Sequence, residues 1–112
     1  MHLQRWDIVF LREDERDATG HPAVVLSGPD VLENPKQLRF NVVMCTKKPP
    51  AVMVRTHQVL LNGADGLDFA TLVDCGMVVV ARKTSVLRPG GRVAHARRAQ
   101  ISVKLRAALG LG

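Results

Sequence analysis

A five-residue apolar run, Pro22 to Leu26, constrains the fold of this chain more than any other stretch. Gly20 precedes the run, and Ser27-Gly28-Pro29 follows it. Short apolar runs between turn residues are typical of strands that are buried on both faces. Pro22 has no N–H to donate to a ladder, so it is predicted to begin the strand. His21 then lies at the mouth of the strand, where an imidazole can take part in chemistry.

Further apolar segments predict a sheet around this central run. They are Arg5–Arg12, Leu38–Thr46, Val52–Leu61, Leu67–Asp74 and Met77–Ala81. In the third of these, Arg55 and His57 are two residues apart, so they are predicted to share one face of a strand. Cys75-Gly76 is predicted to separate the last two strands. A basic edge segment, Arg82–Arg88, follows, and Pro89-Gly90-Gly91 is predicted to end it.

Two helical segments complete the predicted elements. Asp30 can cap a short helical turn, Val31–Asn34. Residues 94–109 have apolar positions at helical spacing, and Gly110 follows them as a stop signal. The apolar stripe of this helix comprises Ile101, Leu105, Ala108 and Leu109. The sequence therefore predicts a single domain, residues 1–112, of mainly β class with one short helical turn and one long C-terminal α-helix.

Charge is distributed unevenly along the chain. Residues 1–74 contain all ten acidic residues and eight basic ones, which gives a net charge of −2. Residues 75–112 contain eight basic residues and no acidic one, which gives +8. A block of this sign favours a polyanion or an acidic protein segment as partner, although a solvated basic face explains the same bias.

Other classes of protein are disfavoured by what the sequence lacks. No apolar run is long enough to span a bilayer, and no signal-peptide pattern is present, so we expect a cytoplasmic protein without a membrane partner. Cys45 and Cys75 are then expected to be reduced thiols. His57 and His95 have no metal-ligand spacing with the cysteines, so neither a metal nor a cofactor is predicted. No glycine-rich phosphate loop or dinucleotide fingerprint occurs.

Short motifs along the chain resemble, in order, the MazF/PemK toxin family. They are Trp6-Asp7-Ile8-Val9, then His21 to Ser27, then Val43-Met44-Cys45-Thr46, then Leu72-Val73-Asp74 before the closing helix. The family consists of dimeric, ribosome-independent endoribonucleases with a small twisted antiparallel SH3-like barrel and a C-terminal helix. The resemblance therefore implies a homodimer, single-stranded RNA as substrate, and an antitoxin with an acidic segment as partner.

The resemblance also implies where RNA would be cleaved. His21 stands where the family usually has a catalytic Arg, directly before the Pro of an Arg-Pro pair. Thr46 matches a strand-end Thr that contacts the region of the scissile phosphate, and Asp74 matches an acidic member of the catalytic set. We therefore expect His21, Thr46 and Asp74 in catalysis. From the residues alone, Thr46 fits a hydroxyl that caps its own loop equally well, and Asp74 fits a turn former.

Metal-free RNA cleavage needs a base, an acid and cations on the phosphate, with the ribose 2′-OH as nucleophile. His21 can serve as base or acid near neutral pH, although it lacks the bidentate fork of Arg. The predicted nucleic-acid-binding residues are Lys47, Lys48, Arg55, Arg82, Lys83 and Arg88. The acidic loop, residues 13–20, would repel phosphates unless an Arg or a metal offsets it. A non-catalytic nucleic-acid-binding module and a protein-interaction module therefore remain open alternatives.

Overall fold

The computed structural model describes residues 2–47 and 53–112, which form one six-stranded antiparallel sheet with a C-terminal helix. The strands are β1 (Asp7–Leu11), β2 (His21–Val25), β3 (Arg39–Lys47), β4 (Gln58–Leu61), β5 (Thr71–Arg82) and β6 (Val86–Arg92). The helices are α1 (Pro29–Leu32) and α2 (His95–Leu109), with 3₁₀ turns at Gly63–Asp65 and Lys83–Ser85. The strand order is β4-β5-β3-β2-β1-β6. The predicted mainly β fold is confirmed.

β2 lies inside the sheet, between β1 and β3, as the apolar run predicted. Ala23, Val24 and Val25 are all fully buried, which confirms burial on both faces. The strand begins at His21 and not at Pro22. Pro22 pairs with Phe10 in the register of β1, and His21 extends the strand to the rim of the sheet.

The two faces of the sheet differ in what covers them. α2 packs on one face, which we call the helix face, and buries Ile101 completely. The core of the helix face includes Ile8, Val24, Val43, Val73 and Cys75. The other face, which we call the groove face, has a smaller core, against which α1 and Leu3 of the N-terminal segment pack. That smaller core comprises Val9, Leu11, Ala23, Val25, Phe40 and Val42.

β5 is a single 12-residue strand, so the predicted strand boundary at Cys75-Gly76 is wrong. A large bulge occupies that place, where the single residue Met44 of β3 lies opposite the four residues Asp74–Met77 of β5. The register shifts at the bulge, and β5 continues to pair with β3 beyond it. β5 also starts at Thr71 and not at Leu67, since Leu67 packs into the core from the preceding loop.

β6 contains Pro89-Gly90-Gly91, so the predicted break at these residues is wrong as well. The strand is at the edge of the sheet, where a proline without an N–H is tolerated. A Cβ on Gly90 would lie 2.5 Å from the ring of Phe10, and a Cβ on Gly91 would lie 2.4 Å from the carbonyl oxygen of Asp65. Both glycines therefore permit close packing inside a strand rather than ending one.

β4 is shorter than predicted, because it begins at Gln58. The N–H of Gln58 donates to the carbonyl of Arg55 at 3.0 Å, and the Gln58 side chain accepts from the N–H of Arg55 at 3.1 Å. These bonds form a turn, so Arg55 and His57 do not share a strand face, and that prediction is wrong. Val52, the predicted start of this strand, lies outside the described residues.

Asp65 links the two edge strands of the curled sheet, β4 and β6. Its buried carboxylate accepts the N–H of Asn62, after β4, at 2.9 Å and the N–H of Ala94, after β6, at 2.7 Å. Arg97 of α2 completes the cluster, with Nη1 at 3.2 Å from the carboxylate. Because β4 and β6 are the outer strands, these contacts close the sheet into a half-barrel.

The helices agree with the sequence in number and differ in detail. Gly28 is the N-cap residue of α1 and Asp30 lies in its first turn, so the predicted cap by Asp30 is wrong. Pro29 opens this helix because its φ is already helical. α2 ends at Gly110 in the left-handed conformation, as predicted. Leu109 is 50% exposed, so the apolar stripe packs on the sheet only in its first half. Neither helix, in the chain as described, has the length and apolar character needed to cross a bilayer.

Candidate nucleic-acid interface

A groove of about 1150 Å³ lies on the groove face of the sheet. β1, β2, β3 and β5 contribute to it, together with the end of the acidic loop. His21 and Thr46 both line the groove. Ala23 pairs with Met44, so continuing this register by two residues sets His21 opposite Thr46. The structure thus brings together two of the three residues that were predicted to be catalytic.

The floor of the groove is apolar and partly aromatic. The rings of Phe10 and Phe69 are tilted toward each other, with centroids 6.1 Å apart. Met77 and Val79 on β5 are 50% and 37% exposed. Such a surface can stack unpaired bases or can pack against an apolar segment of another protein.

The acidic loop folds back onto His21. His21 Nε2 lies 3.2 Å from Glu13 Oε2 and 3.7 Å from Asp17 Oδ2. Hydrogen bonds from the backbone N–H of Gly20, and then of Glu13, lower the pKa of Asp17. Backbone N–H groups therefore hold the carboxylate of Asp17 in place beside His21.

Arginines supply positive charge at the groove. Arg12 and Arg82 are exposed and line it. The guanidinium of Arg88 lies 4.2 Å from the centroid of the Phe10 ring, over its face. The sequence analysis named Arg82 and Arg88 but missed Arg12. The position of Arg12, between β1 and the acidic loop, could have indicated that it lies at the groove. Arg55 is exposed in the turn before β4, away from this lining.

Most of the basic C-terminal third is bound within the protein. The ammonium of Lys83 donates to the carbonyls of Val31, Leu32 and Asn34, at 2.7, 3.3 and 3.0 Å, and so caps the end of α1. Four other cations also have internal partners: Arg92 with Asp7, Arg97 with Asp65, Arg98 with the Val93 carbonyl, and Lys104 with the Gln58 carbonyl. The charge of this third is therefore largely part of the fold. The side chains of Lys47 and Lys48, also predicted to bind nucleic acid, lie outside the described residues.

The two cysteines are buried on the helix face and form no disulfide. Burial raises the pKa of the Cys45 thiol, and the nearby Cys75 adds to this effect. Burial also raises the pKa of Cys75, although Lys104 opposes it. Both thiols are therefore protonated at neutral pH and are poor nucleophiles. Within residues 2–47 and 53–112, no three His, Cys, Asp or Glu side chains are grouped as metal ligands would be.

Comparison with solved structures decides which fold this is. An endoribonuclease in complex with its cognate antitoxin, from a mycobacterial species, has a TM-score of 0.76 at 17% identity over 98% of this chain and 97% of that chain. The toxin MazF-mt6 of Mycobacterium tuberculosis has a TM-score of 0.76 at 16% identity over 95% and 98%. A MazE-MazF crystal structure from Deinococcus radiodurans has 0.75 at 17% over 98% and 97%. The chain has the MazF fold.

The structural match is the evidence for this fold, because sequence comparison does not supply it. No protein-family model matches the chain, and no curated protein matches it significantly. At 16–17% identity, what the chain shares with the MazF structures is the fold. The motifs that resemble the MazF/PemK family therefore lie on a MazF-like sheet, in the order in which the sequence analysis found them.

On this MazF-like sheet, Asp74 lies beyond the groove lining. It is at the start of the bulge in β5 and pairs in register with Gln58 of β4. Its Oδ1 is 3.4 Å from Nε2 of His57. The third residue that was predicted to be catalytic is thus next to a histidine that the sequence had placed on a strand face with Arg55 and had excluded as a metal ligand. No sequence pattern indicates that His57 and Asp74 are in contact, because it is the turn before β4 and the register of β4 and β5 that bring them together.

Proposed function

We propose that this protein is a MazF-like toxin, a metal-independent endoribonuclease that cleaves single-stranded RNA in the cytoplasm. The observation that carries the proposal is the groove, which His21 and Thr46 line together with the rings of Phe10 and Phe69 and with Arg12 and Arg82. Stacking surfaces with adjacent cations are what binding to a single strand requires, because bases stack and phosphates need counter-charge.

Each groove residue has a role in this proposal. Arg12 and Arg82 neutralise phosphates of the RNA backbone, and Thr46 donates its hydroxyl to a phosphate oxygen. Phe10 and Phe69 stack bases that flank the cleaved bond. His21, when protonated, exchanges its acidic-loop partners for a phosphate and so takes part of the role that Arg has in the family pattern.

A homodimer is the proposed assembly, and an unpaired strand edge supports it. The second half of β5, from Val78 to Arg82, pairs with β3 along one edge only, as far as the described strands extend. This edge is apolar, and Val80 on it is 62% exposed. An exposed apolar strand edge is a template for pairing with another strand, and a second copy related by a two-fold axis would cover it.

An antitoxin is the second proposed partner. The mycobacterial endoribonuclease of similar fold is in complex with its cognate antitoxin, and the Deinococcus structure contains MazE with MazF. In this chain, the apolar floor of the groove beside Arg12 and Arg82 suits a segment that alternates apolar and acidic residues. Such a segment would occupy the groove in competition with RNA.

One observation favours a non-catalytic alternative. His21 is held by two carboxylates at the place where the family pattern has Arg. A groove that binds RNA without cleaving it, or that binds only a protein segment, would be compatible with this arrangement.

The test is cleavage of end-labelled single-stranded RNA by the purified protein in EDTA, with the cut sites mapped. We expect discrete cuts that leave a 2′,3′-cyclic phosphate and a 5′-hydroxyl. Thr46→Val should cut much more slowly, while Thr84→Val, an exposed threonine outside the groove, should cut like the wild type. Binding of RNA without any cut by the wild type would refute the nuclease and support the binding module. Neither binding nor cutting would leave the protein-interaction module as the function.

A further inference from the structure

A second polar cluster, outside the groove lining, contains His57 and Asp74. Nε2 of His57 lies 3.4 Å from Oδ1 of Asp74. The His57 side chain is 44% exposed and that of Asp74 is 27% exposed, so the carboxylate is the more enclosed partner. A half-exposed imidazole that is oriented by a more buried carboxylate is a common arrangement for proton transfer in enzymes.

The backbone around His57 is fixed on three sides. The turn before β4 is closed by the two hydrogen bonds between Arg55 and Gln58. The carbonyl of His57 accepts the N–H of Cys75, inside the bulge of β5, at 3.0 Å. Lys104 of α2 donates to the carbonyl of Gln58 at 2.8 Å. The imidazole therefore extends from a rigid support, which catalytic geometry requires.

His57 and His21 differ in how their nitrogens are used. His21 has carboxylates of Glu13 and Asp17 within 3.7 Å of its Nε2. His57 has a single carboxylate partner among the described residues, also at Nε2. When this nitrogen carries the proton that faces Asp74, Nδ1 is left as an unprotonated acceptor. Because His21 is proposed to bind a phosphate as a cation, His57 is the histidine left to accept a proton from a substrate.

The cluster lies on the same face of the sheet as Thr46. Thr46 pairs with Leu72 in the register of β3 and β5, so their side chains share a face. Asp74 is two residues beyond Leu72 on β5, and side chains two apart in a strand lie on one face. Diagonal neighbours of this kind are about 7–8 Å apart, which is within the span of one nucleotide's ribose and phosphate. The groove and the cluster can therefore contact the same RNA strand.

We propose that His57, positioned by Asp74, is the base that takes the proton from the ribose 2′-hydroxyl, and this rests on the proposed nuclease function. Nδ1 of His57 accepts that proton, and the 2′-oxygen attacks phosphorus. The bond from phosphorus to the 5′-oxygen breaks, and the leaving oxygen takes a proton from water. The products are a 2′,3′-cyclic phosphate and a 5′-hydroxyl, and His57 then returns its proton to solvent.

The charges around His57 come from three elements. Asp74 of β5 faces it, while Lys104 of α2 binds the carbonyl of Gln58 and Arg55 precedes it in the same turn. The remaining titratable neighbour, Cys75, stays protonated at neutral pH because burial raises its pKa. A general base must be unprotonated to act, so activity that depends on His57 should fall as the pH is lowered.

The experiment is single-turnover RNA cleavage by the full chain from pH 5 to 8. The test variants are His57→Ala and Asp74→Asn, and the matched control is His95→Ala, which changes an exposed histidine. We expect His57→Ala to lose roughly 10²–10⁴-fold in rate, with unchanged RNA affinity. Free imidazole should restore part of that loss. Asp74→Asn should lose less and should move the acid limb of the profile to lower pH, because the imidazolium loses its counter-charge. His95→Ala should behave like the wild type.

The possible outcomes separate the two proposals. A wild type that does not cut RNA overturns the nuclease and the role of His57 together. A wild type that cuts, with His57→Ala equally active, overturns only the role of His57. The role of His57 is also overturned by a second result, in which His57→Ala is slow, free imidazole does not restore its rate, and Asp74→Asn leaves the acid limb unmoved. His57 and Asp74 would then only support the turn. If His21→Ala abolishes the pH dependence instead, His21 is the base and this proposal is wrong.

Discussion

The helix face and the groove face of the sheet are built from the same strands but are completed differently. On the helix face, α2 buries Ile101 and seals the apolar residues beneath it. On the groove face, Met77 and Val79 remain 50% and 37% exposed beside a cavity of about 1150 Å³. Apolar surface left in water contributes little to the stability of the monomer. The open face is therefore suited to binding a partner, whereas the sealed face stabilises the fold.

The closing contact of the half-barrel gives the largest expected effect on stability. Asp65→Ala removes a buried carboxylate that binds two backbone N–H groups and Arg97, and leaves the Arg97 charge unpaired. We expect a loss of about 3–5 kcal/mol in the free energy of unfolding, measured in urea. Asp68→Ala, an exposed aspartate in the same loop, should lose less than about 0.5 kcal/mol. Equal losses in the two variants would show that Asp65 does not close the sheet.

The sealed and the open face can be compared directly by matched truncations. Ile101→Ala leaves a cavity under α2 and should cost about 2–5 kcal/mol, whereas Leu105→Ala should cost less, because Leu105 is only half-buried. Val79→Ala on the open side should cost less than about 1 kcal/mol, because its side chain is already 37% exposed. If Val79→Ala destabilised the monomer as much as Ile101→Ala, the difference between the faces would not hold.

A charge on the open strand edge tests the proposed homodimer. Val80→Lys should leave the monomer folded, because the residue is 62% exposed, but should block pairing between two copies of β5. Sedimentation of the wild type at micromolar concentration should give twice the chain mass, and the variant should give the chain mass. A wild type that stays monomeric, or a variant that stays dimeric, would exclude this edge as the interface.

Salt dependence distinguishes cations at the groove from cations in the fold. Arg12→Ser and Arg82→Ser should each reduce the slope of log affinity for RNA against log salt by about one unit. Lys83→Met should leave that slope unchanged and should lower stability instead, because its ammonium caps α1. A changed slope in Lys83→Met would return this residue to the RNA interface.

The smallest effect is expected at the acidic loop. The pKa of Asp17 is lowered by the N–H groups of Gly20 and Glu13, so its carboxylate stabilises the folded state above the unfolded value of about 3.9. That stabilisation is lost as the pH falls through the lower folded value. Unfolding of Asp17→Asn and of the wild type should therefore differ at pH 7, and the difference should shrink below about pH 4. A difference that persists at low pH would assign the effect to packing.

Much of the fold followed from the sequence because local patterns determine it. The burial of β2, the extent of α2 and its end at Gly110 come from apolar spacing and stop signals that act over a few residues. The errors at Gly76 and at Pro89-Gly90-Gly91 share a cause. Glycine and proline were interpreted as breaks, whereas here they serve a bulge and the close approach of Phe10 and Asp65, which only tertiary contacts reveal.

The candidate site could be predicted only in part, for a similar reason. His21 and Thr46 lie at ends of neighbouring strands, so a correct strand order was enough to bring them together. Lys83 was assigned to RNA because charge is visible in a sequence, but its three carbonyl partners are not. The pairing of His57 with Asp74 depends on a turn that was predicted to be a strand.

The strand order has a consequence for synthesis of the protein on the ribosome. β1 pairs with β2 on one side and with β6 on the other. Both edges of β1 are therefore covered only after residues up to Arg92 have been synthesised. A nascent chain that has not yet released β6 therefore presents the apolar strand Asp7–Leu11 with one edge open to other chains. Because chains emerge from the N-terminus first, slow translation between β2 and β6 would lengthen the period in which this protein can aggregate.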